Sequence, residues 1–274
     1  MISKYLHLVS STKSQITIFI LLNICGLIFF LLPHNIFSNM LDLEFFYSKE
    51  DVVRNFNAIG PDGRSVYVLS SLILDTLYPI LYTSLIHARE PLSMMNLFYF
   101  VQKLAEGYNS DEEFTYLVNN REMWFVPVVN PDGYVFNEQI EPFGGGMHRK
   151  NRRNTNCGNG TTRGVDLNRN FGYEWGANNT GSSPDPCSDI YRGESAFSEP
   201  ETQAVRDFIL DHDFKNVLHY HSYSNLYIHA FGDGSYPDEP DLTTHREIGH
   251  EMSKYNGYYV GTGLDGIGYT VNGD

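Results

Sequence analysis

The sequence predicts an α/β fold, in which a mixed, twisted β-sheet is flanked by helices on both faces. From Ser65 onward, short apolar runs alternate with stretches of helical periodicity, the pattern of a sheet covered by helices. The 274 residues can bury the core of one large domain and are too few for several. No internal repeat interrupts this alternation. We therefore expect one domain of catalytic size.

Five apolar runs are expected to form strands. They lie at residues 65–71 (SVYVLSS), 79–86 (PILYTSLI), 123–129 (MWFVPVV), 216–221 (NVLHYH) and 226–231 (LYIHAF).

Four segments with helical periodicity are expected to form helices. They lie at residues 91–106, 111–119, 199–211 and 241–255. We place the start of the third at a capping box, with Ser198 as N-cap and Glu201 three residues later. Residues 131–200 are rich in Gly, Asn, Arg and Pro and show little periodicity. So long an irregular stretch inside a compact domain is usually functional.

The charge balance excludes one class of partner. The formal net charge is -14 and the sequence pI is about 5.0. Because phosphate binding needs a cationic surface, we expect no nucleic-acid partner.

The N-terminus carries an export signal. Residues 16–32 (ITIFILLNICGLIFFLL) contain no charge, and Lys4 and Lys13 precede them. The run is long for a cleaved signal and short for a membrane span, so both interpretations stand. We favour a cleaved signal peptide over residues 1–38, with the catalytic domain at 39–274. The positive-inside rule then predicts a secreted, extracellular or lumenal protein, or one anchored to the membrane by residues 16–32.

Cysteines and glycosylation motifs agree with export. Cys25 lies inside the apolar run, which leaves Cys157 and Cys187 as the only pair in the exported part and predicts a single disulfide. Two Asn-x-Thr sequons begin at Asn159 and Asn178 in a polar segment, where surface glycosylation is sterically possible.

His87 and Glu90 lie where the strand at 79–86 gives way to a helix that starts with Pro91. Ligands bind at the carboxyl ends of strands in open α/β sheets. A histidine and a glutamate three residues apart can converge on one ion, and this pair suits Zn²⁺. A surface turn with an ion pair is an equally weighted alternative.

A third ligand could come from the strand that ends at His221. A distant strand end, with water in the fourth position, is typical of a catalytic zinc site. His219 lies two residues earlier and faces the same side of the strand, so spacing alone does not choose between them.

Two arginines lie in locally basic, irregular segments of this acidic chain. Arg149 is in MHRKNRRN and Arg169 is in GVDLNRNFG. A guanidinium group can hold a carboxylate with two parallel hydrogen bonds, and a peptide C-terminus is such a carboxylate.

Seven motifs in order give residues 59–274 a resemblance to the zinc metallocarboxypeptidases of the carboxypeptidase A/B type. They are IGPDGRSVYVL, IHAREP, NPDGY, MHRKNRR, GVDLNRNFG, YRGESAFSEPET and HSYSN. The resemblance implies hydrolysis of the C-terminal residue of peptides or proteins by zinc-activated water.

The resemblance also implies a role for individual residues. One Zn²⁺ would be held by His87, Glu90 and His221, which favours His221 over His219. Arg149 would stabilise the oxyanion of the tetrahedral intermediate. The substrate's terminal carboxylate would be held by Asn168, Arg169 and a mobile tyrosine, Tyr269, while Arg89 would line an outer subsite. Cys157 and Cys187 match the disulfide of digestive members.

Four neutral residues match the family's pocket wall and favour apolar C-terminal side chains. They are Ile228, Gly232, Leu264 and Val271.

The chain departs from the family pattern at its C-terminal end. The family's general base is a glutamate about twenty residues past the mobile tyrosine, whereas Asp274 follows Tyr269 by five. We therefore expect the base, the last strand and the closing helix to be missing, and the sheet to keep an open edge. The full-length parent would be the enzyme. The alternative is an inactive fragment that binds zinc and peptide C-termini.

Overall fold

The computed structural model describes residues 79–274, which form five strands, six α-helices and one short 3-10 helix. In chain order these are β1 (Pro79–Ser84), α1 (Pro91–Gly107), α2 (Glu112–Asn120), β2 (Glu122–Val126), α3 (Pro131–Ile140), the 3-10 helix (Leu167–Arg169), α4 (Pro200–Asp211), β3 (Asn216–Tyr220), β4 (Leu226–Ile228), α5 (Asp241–Ser253), β5 (Tyr259–Gly261) and α6 (Gly263–Ile267). The predicted export signal and the predicted strand at 65–71 lie outside the described residues.

The described strands form two parallel sheets, and the α/β class predicted from the sequence is confirmed. The first sheet has the order β2-β1-β3, with Tyr82 beside Phe125 on one side and Leu218 on the other. The second pairs β4 with β5. Because β1, β2 and β3 are parallel, their carboxyl ends meet at one edge of the sheet. The segments that follow them are thereby brought together.

The central strand β1 is fixed by the core. Leu81 and Leu85 are fully buried, as is Leu97 of α1. Complete burial of such a side chain stabilises the fold by roughly 1.5–3 kcal/mol. The ring of Tyr82 stacks on that of Phe125 with centroids 5.0 Å apart. The end of β1 therefore has a well-defined position from which the following turn projects.

Helix α3 lies inside the segment that the sequence predicted to be irregular. Its N-cap is Asn130, whose side chain accepts a hydrogen bond from Gly133 N at 3.0 Å, and Pro131 occupies the first turn. These are ordinary start signals for a helix. Gly133 is required here because a Cβ at this position would lie 2.5 Å from the carbonyl oxygen of Lys150.

The predicted capping box of α4 is wrong. The helix begins at Pro200 with Glu199 as its N-cap, and the cap makes no side-chain hydrogen bond. Proline at the first helical position has no N–H to be capped. The hydroxyl of Ser198 donates instead to Glu199 Oε1 at 2.7 Å and accepts from Asn170 Nδ2 at 2.9 Å.

All four predicted strands within the described residues end earlier than expected. β1 ends at Ser84 rather than at residue 86, and β3 ends at Tyr220 rather than at residue 221. β2 ends at Val126 rather than at residue 129, because Pro127 has no N–H to donate to the neighbouring strand. β4 ends at Ile228 rather than at residue 231.

A disulfide joins Cys157 to Cys187, as predicted, with the two Cα atoms 5.3 Å apart. Across residues 79–274, no helix combines the length and the apolar character needed to cross a membrane.

Candidate metal centre

The turn after β1 holds His87 and Glu90 against each other. His87 Nδ1 lies 2.7 Å from Glu90 Oε1, and both residues are buried. Ser93 fixes the turn, because its hydroxyl donates to Glu90 O at 2.7 Å and accepts from Leu85 N at 3.1 Å. Pro91 starts helix α1, and the Glu90 carboxylate caps none of its N–H groups. That carboxylate is therefore available for another partner.

His221, directly after β3, reaches the same carboxylate from the neighbouring strand. Its Nδ1 lies 2.9 Å from Glu90 Oε2, and Ser222 N donates to the same oxygen at 3.2 Å. His219 is placed differently, because its Nδ1 lies 2.5 Å from Thr83 Oγ1 on β1. The structure therefore groups His221, and not His219, with the turn.

The three side chains have the donors and spacing of a catalytic metal site. One possible ligand atom from each of His87, Glu90 and His221 lies within 4.8 Å of the others. Two imidazoles and one carboxylate are a known donor set for catalytic Zn²⁺, which keeps its fourth position open. About 35% of the His221 side chain is exposed, so the site can be reached from solvent. The residues present thus fit a zinc ion.

The ionisation of these side chains favours metal binding. Burial alone would raise the pKa of Glu90, but the hydrogen bonds with His221 and His87 lower it to about 2. Partial desolvation lowers the pKa of His221, and Glu90 opposes this effect. Near neutral pH the carboxylate is therefore charged and the imidazole is neutral, as ligands must be.

Arg149 is linked to the turn through the fully buried carboxylate of Asp166. Arg149 Nε donates to Asp166 Oδ2 at 2.9 Å, and its Nη2 lies 2.8 Å from the same oxygen. His87 Nε2 lies 3.4 Å from Asp166 Oδ1, an ion-pair distance without hydrogen-bond geometry. Burial would raise the pKa of Asp166, but Arg149, His87 and Arg169 hold it far below its usual range. A backbone hydrogen bond also joins the turn to the segment of Arg149, since Ala88 N donates to Arg149 O at 3.0 Å.

Asn168 and Arg169 form the 3-10 helix beside this pair. Asp166 Oδ1 caps the helix by accepting from Asn168 N at 3.1 Å. Arg169 is buried, and one of its terminal nitrogens donates to Asn168 O. Its Nε has no hydrogen-bond partner within the described part of the chain. A buried guanidinium with a free N–H can bind an anionic group such as a carboxylate, which accepts the hydrogen bond.

Arg89 and Tyr269 are less clearly tied to the centre. Arg89 is half-buried within the turn between the two predicted ligands. Tyr269 follows α6 and is 52% exposed. Among residues 79–274, no hydrogen bond joins its hydroxyl to the metal-centre residues.

The four residues matched to the pocket wall differ in exposure. Val271 is buried against Gly232, whereas Ile228 and Leu264 are each 47% exposed.

Comparison with known proteins shows the family. The sequence model of the zinc carboxypeptidase family, Peptidase_M14, matches residues 76–272. The chain belongs to this family. The resemblance stated from the sequence motifs is therefore confirmed.

Individual zinc carboxypeptidases resemble the chain over part of their length. It is 34% identical to carboxypeptidase A1 of Bos taurus over 185 residues, 66% of this chain and 42% of that protein. It is 31% identical to the inactive metallocarboxypeptidase ECM14 of Arthroderma otae over 174 residues, 61% of this chain and 28% of that protein. The crystal structure of carboxypeptidase A from Helicoverpa armigera superposes with a TM-score of 0.61 at 32% identity, covering 75% of this chain and 49% of that one. The chain thus spans less than half the length of these relatives.

Sequence reasoning gave no role to two buried charged residues, Asp166 at the candidate metal centre and Lys150 next to Arg149 in the chain. Asp166 lies in GVDLNRNFG, where an acidic residue near two candidate anion binders, Asn168 and Arg169, is the signal that could have indicated a partner charge. Lys150, next to Arg149, is completely buried, and its ammonium donates to Thr162 O at 2.6 Å and Ser188 O at 2.7 Å. These contacts join segments far apart in the chain, so no local pattern reveals them.

Proposed function

We propose that the chain carries the zinc site of a metallocarboxypeptidase that removes the C-terminal residue of peptides. The observation that carries this proposal is the convergence of His87, Glu90 and His221 within 4.8 Å at the carboxyl ends of β1 and β3. Arg149 lies next to them through Asp166. A structural ion pair alone would not need two histidines on one carboxylate.

Different residues around the metal centre have different roles in such a reaction. When bound, a zinc ion supplies Lewis acidity toward a peptide carbonyl. Arg169, with an unused buried donor, and Asn168 hold the terminal carboxylate of the substrate. A substrate without a free C-terminus leaves that guanidinium unpaired, which disfavours its binding.

Arg149 stabilises negative charge that develops on the carbonyl oxygen. Two of its nitrogens, Nε and Nη2, are held by Asp166. This leaves Nη1 without a hydrogen bond to any residue in the described range. A donor fixed before the reaction stabilises the transition state without reorganisation, and removing one such donor typically costs about 10²- to 10³-fold in rate.

The second candidate function is binding of peptide C-termini without hydrolysis. One relative, 31% identical, is named an inactive metallocarboxypeptidase. Binding of this kind would result if no general base acts at the metal centre. Loss of general acid–base help lowers the rate by about 10²- to 10⁴-fold while leaving metal and carboxylate binding in place.

One experiment tests both candidates on the full chain. Zinc content is measured in the purified protein together with hydrolysis and binding of peptides that have free or amidated C-termini. We expect one zinc ion per chain, lost in His87→Ala and His221→Ala and retained in His250→Gln, an exposed control on α5. A chain that binds no zinc would rule out both candidates. Zinc and peptide binding without turnover would support the second.

The protein is exported from the cytosol, either secreted or held at the membrane by residues 16–32. Support comes from the uncharged N-terminal segment and the Cys157–Cys187 disulfide, since disulfides persist in oxidising compartments. Fractionation of expressing cells with protease protection separates a secreted from an anchored chain, and a chain found wholly in the cytosol would contradict export.

A further inference from the structure

The loop that contains the first sequon is open to solvent. Residues 158–161 are exposed and include the motif Asn159-Gly160-Thr161. A Cβ added to Gly158 or to Gly160 would meet no atom within 4 Å. The space on both sides of Asn159 is therefore free, as an attached oligosaccharide would require.

The backbone carbonyl of Asn159 accepts a hydrogen bond, whereas its side-chain nitrogen donates none to the described residues. Asn159 O accepts from Arg152 Nη2 at 2.9 Å, and its Oδ1 accepts from Arg163 Nη1 at 3.4 Å. The amide Nδ2 donates no hydrogen bond to any described residue. The hydroxyl of Thr161, which a sequon requires, is likewise without a hydrogen bond in the described part of the chain.

The second sequon is folded against a neighbouring segment. Asn178 Oδ1 accepts from Thr180 N at 2.9 Å, from Gly181 N at 3.3 Å and from Asn272 Nδ2 at 3.1 Å. A Cβ on Gly181 would lie 2.6 Å from Val271 Cα. Both asparagines are exposed, but the side-chain oxygen of Asn178 accepts three hydrogen bonds whereas that of Asn159 accepts one.

We propose that Asn159 is an N-glycosylation site of the exported protein. Asn159 Nδ2 loses a proton and forms a bond to C1 of the first sugar of a lipid diphosphate-linked oligosaccharide. The bond from C1 to the phosphate oxygen breaks, and the lipid diphosphate leaves with the electron pair. No oxidation or reduction is involved.

The position of Asn159 gives the glycan a local role. Arg152 and Arg163 both contact this residue, and Arg163 lies in the polar loop that the disulfide closes. A glycan at Asn159 stands over these arginines, which are cleavage points for trypsin-like proteases. Glycosylated protein should therefore be cleaved at Arg163 more slowly than protein from which the glycan has been removed.

The test is translation of the full chain in the presence of endoplasmic-reticulum microsomes. We expect a slower-migrating product that a glycosidase returns to its original position. Asn159→Gln and Thr161→Ala abolish the shift, whereas Thr161→Ser keeps it because serine also completes a sequon. Asn154→Gln, an exposed asparagine outside any sequon, is the matched control.

Two outcomes overturn the proposal. One is an unshifted wild-type product, and the other is a shift that is unchanged in Asn159→Gln. Protection of the chain from added protease shows whether a failure lies in export or at the acceptor. Because zinc content and peptide hydrolysis are measured separately, failure here is distinct from failure of the proposed peptidase function.

Discussion

The two carboxylate oxygens of Asp166 contact different residues, Arg149 and His87. Oδ2 receives Arg149 Nε at 2.9 Å, while Oδ1 lies 3.4 Å from His87 Nε2. The carboxylate is completely buried, so its charge is compensated by neighbouring groups rather than by water: Arg149, His87, Arg169 and the N–H of Asn168. The predicted metal ligand and the predicted oxyanion stabiliser are thus held by one group, and a change at Asp166 should affect both.

Asp166→Asn should weaken both metal binding and folding. The amide cannot compensate the partly buried guanidinium of Arg149, and breaking a buried charge pair costs up to about 3–5 kcal/mol. Loss of a carboxylate behind a metal-binding histidine lowers metal affinity by roughly 10- to 100-fold. Zinc competition titrations and thermal unfolding measure the two effects. Asp213→Asn breaks an exposed ion pair with Lys215 and should change neither metal affinity nor stability. Equal effects of both variants would show that Asp166 does not link Arg149 to His87.

Acid should destabilise the metal-free protein through Glu90. Its pKa is about 2 in the folded chain and 4.5 for the free side chain. A carboxyl group with a lowered folded pKa contributes stability above its unfolded pKa and loses that contribution as the pH falls toward its folded pKa. The stability of the metal-free protein should therefore drop between pH 4.5 and pH 2.

Urea unfolding across this pH range measures the effect. In Glu90→Gln the decline should be shallower, because one titrating group is gone. The same decline in both proteins would show that other carboxyl groups account for acid sensitivity.

The candidate metal centre was largely predictable from the sequence because its possible ligands lie in short motifs at strand ends. His87 and Glu90 share one turn, and His221 ends a recognisable apolar run. The choice between His219 and His221 needed either the family resemblance or the structure. In the structure His221 lies directly after β3 and contacts Glu90, whereas His219 lies within β3 and contacts Thr83.

Contacts between distant segments could not be predicted in this way. The link from Arg149 to Asp166 joins two irregular stretches, and Lys150 binds carbonyls more than ten residues away. Helix α3 was missed because its sequence, PDGYVFNEQI, begins with residues that also form turns. The capping box at Ser198 failed for a local reason, since Pro200 moved the helix start by one residue.

Arg169→Met should selectively weaken binding of peptides with a free C-terminus. Hydrogen bonds to a charged group contribute about 1.5–3 kcal/mol, which corresponds to a loss of roughly 10- to 100-fold in affinity. Binding of the amidated peptide should change little, because it offers no carboxylate. Calorimetric titration of both peptides measures the difference. Arg206→Met, on the exposed face of α4, is the control, and an equal loss for both peptides would indicate a structural role for Arg169.

Lys150→Met should loosen the disulfide loop. The buried ammonium binds Thr162 O and Ser188 O, and burial lowers the pKa of this lysine. Methionine has a similar volume but leaves these carbonyl groups unpaired, at a cost of about 1–3 kcal/mol each. Removal of a buried charge offsets part of this loss.

Thermal unfolding and hydrogen exchange of residues 157–188 measure the effect of Lys150→Met. Lys103→Met removes an exposed lysine paired with Glu106 and should leave both unchanged. Unaltered exchange in Lys150→Met would show that the disulfide alone holds the loop.

The disulfide and Lys150 should act on different states of the chain, and a double-mutant cycle can separate them. Cys157 and Cys187 are 30 residues apart, so in the chain-entropy account the bond destabilises the unfolded state by roughly 3–4 kcal/mol. Lys150 acts in the folded state, where it joins segments beside both cysteines.

If the loop stays in place after both cysteines are changed to serine, the two losses of stability add. If the loop detaches, the later loss of Lys150 costs less than in the oxidised protein, and the cycle gives a coupling energy of about 0.5–3 kcal/mol. Because Lys150 holds both segments without the sulfur bridge, we expect additivity and an unchanged zinc content in the cysteine variant; strong coupling would show that the disulfide positions Lys150.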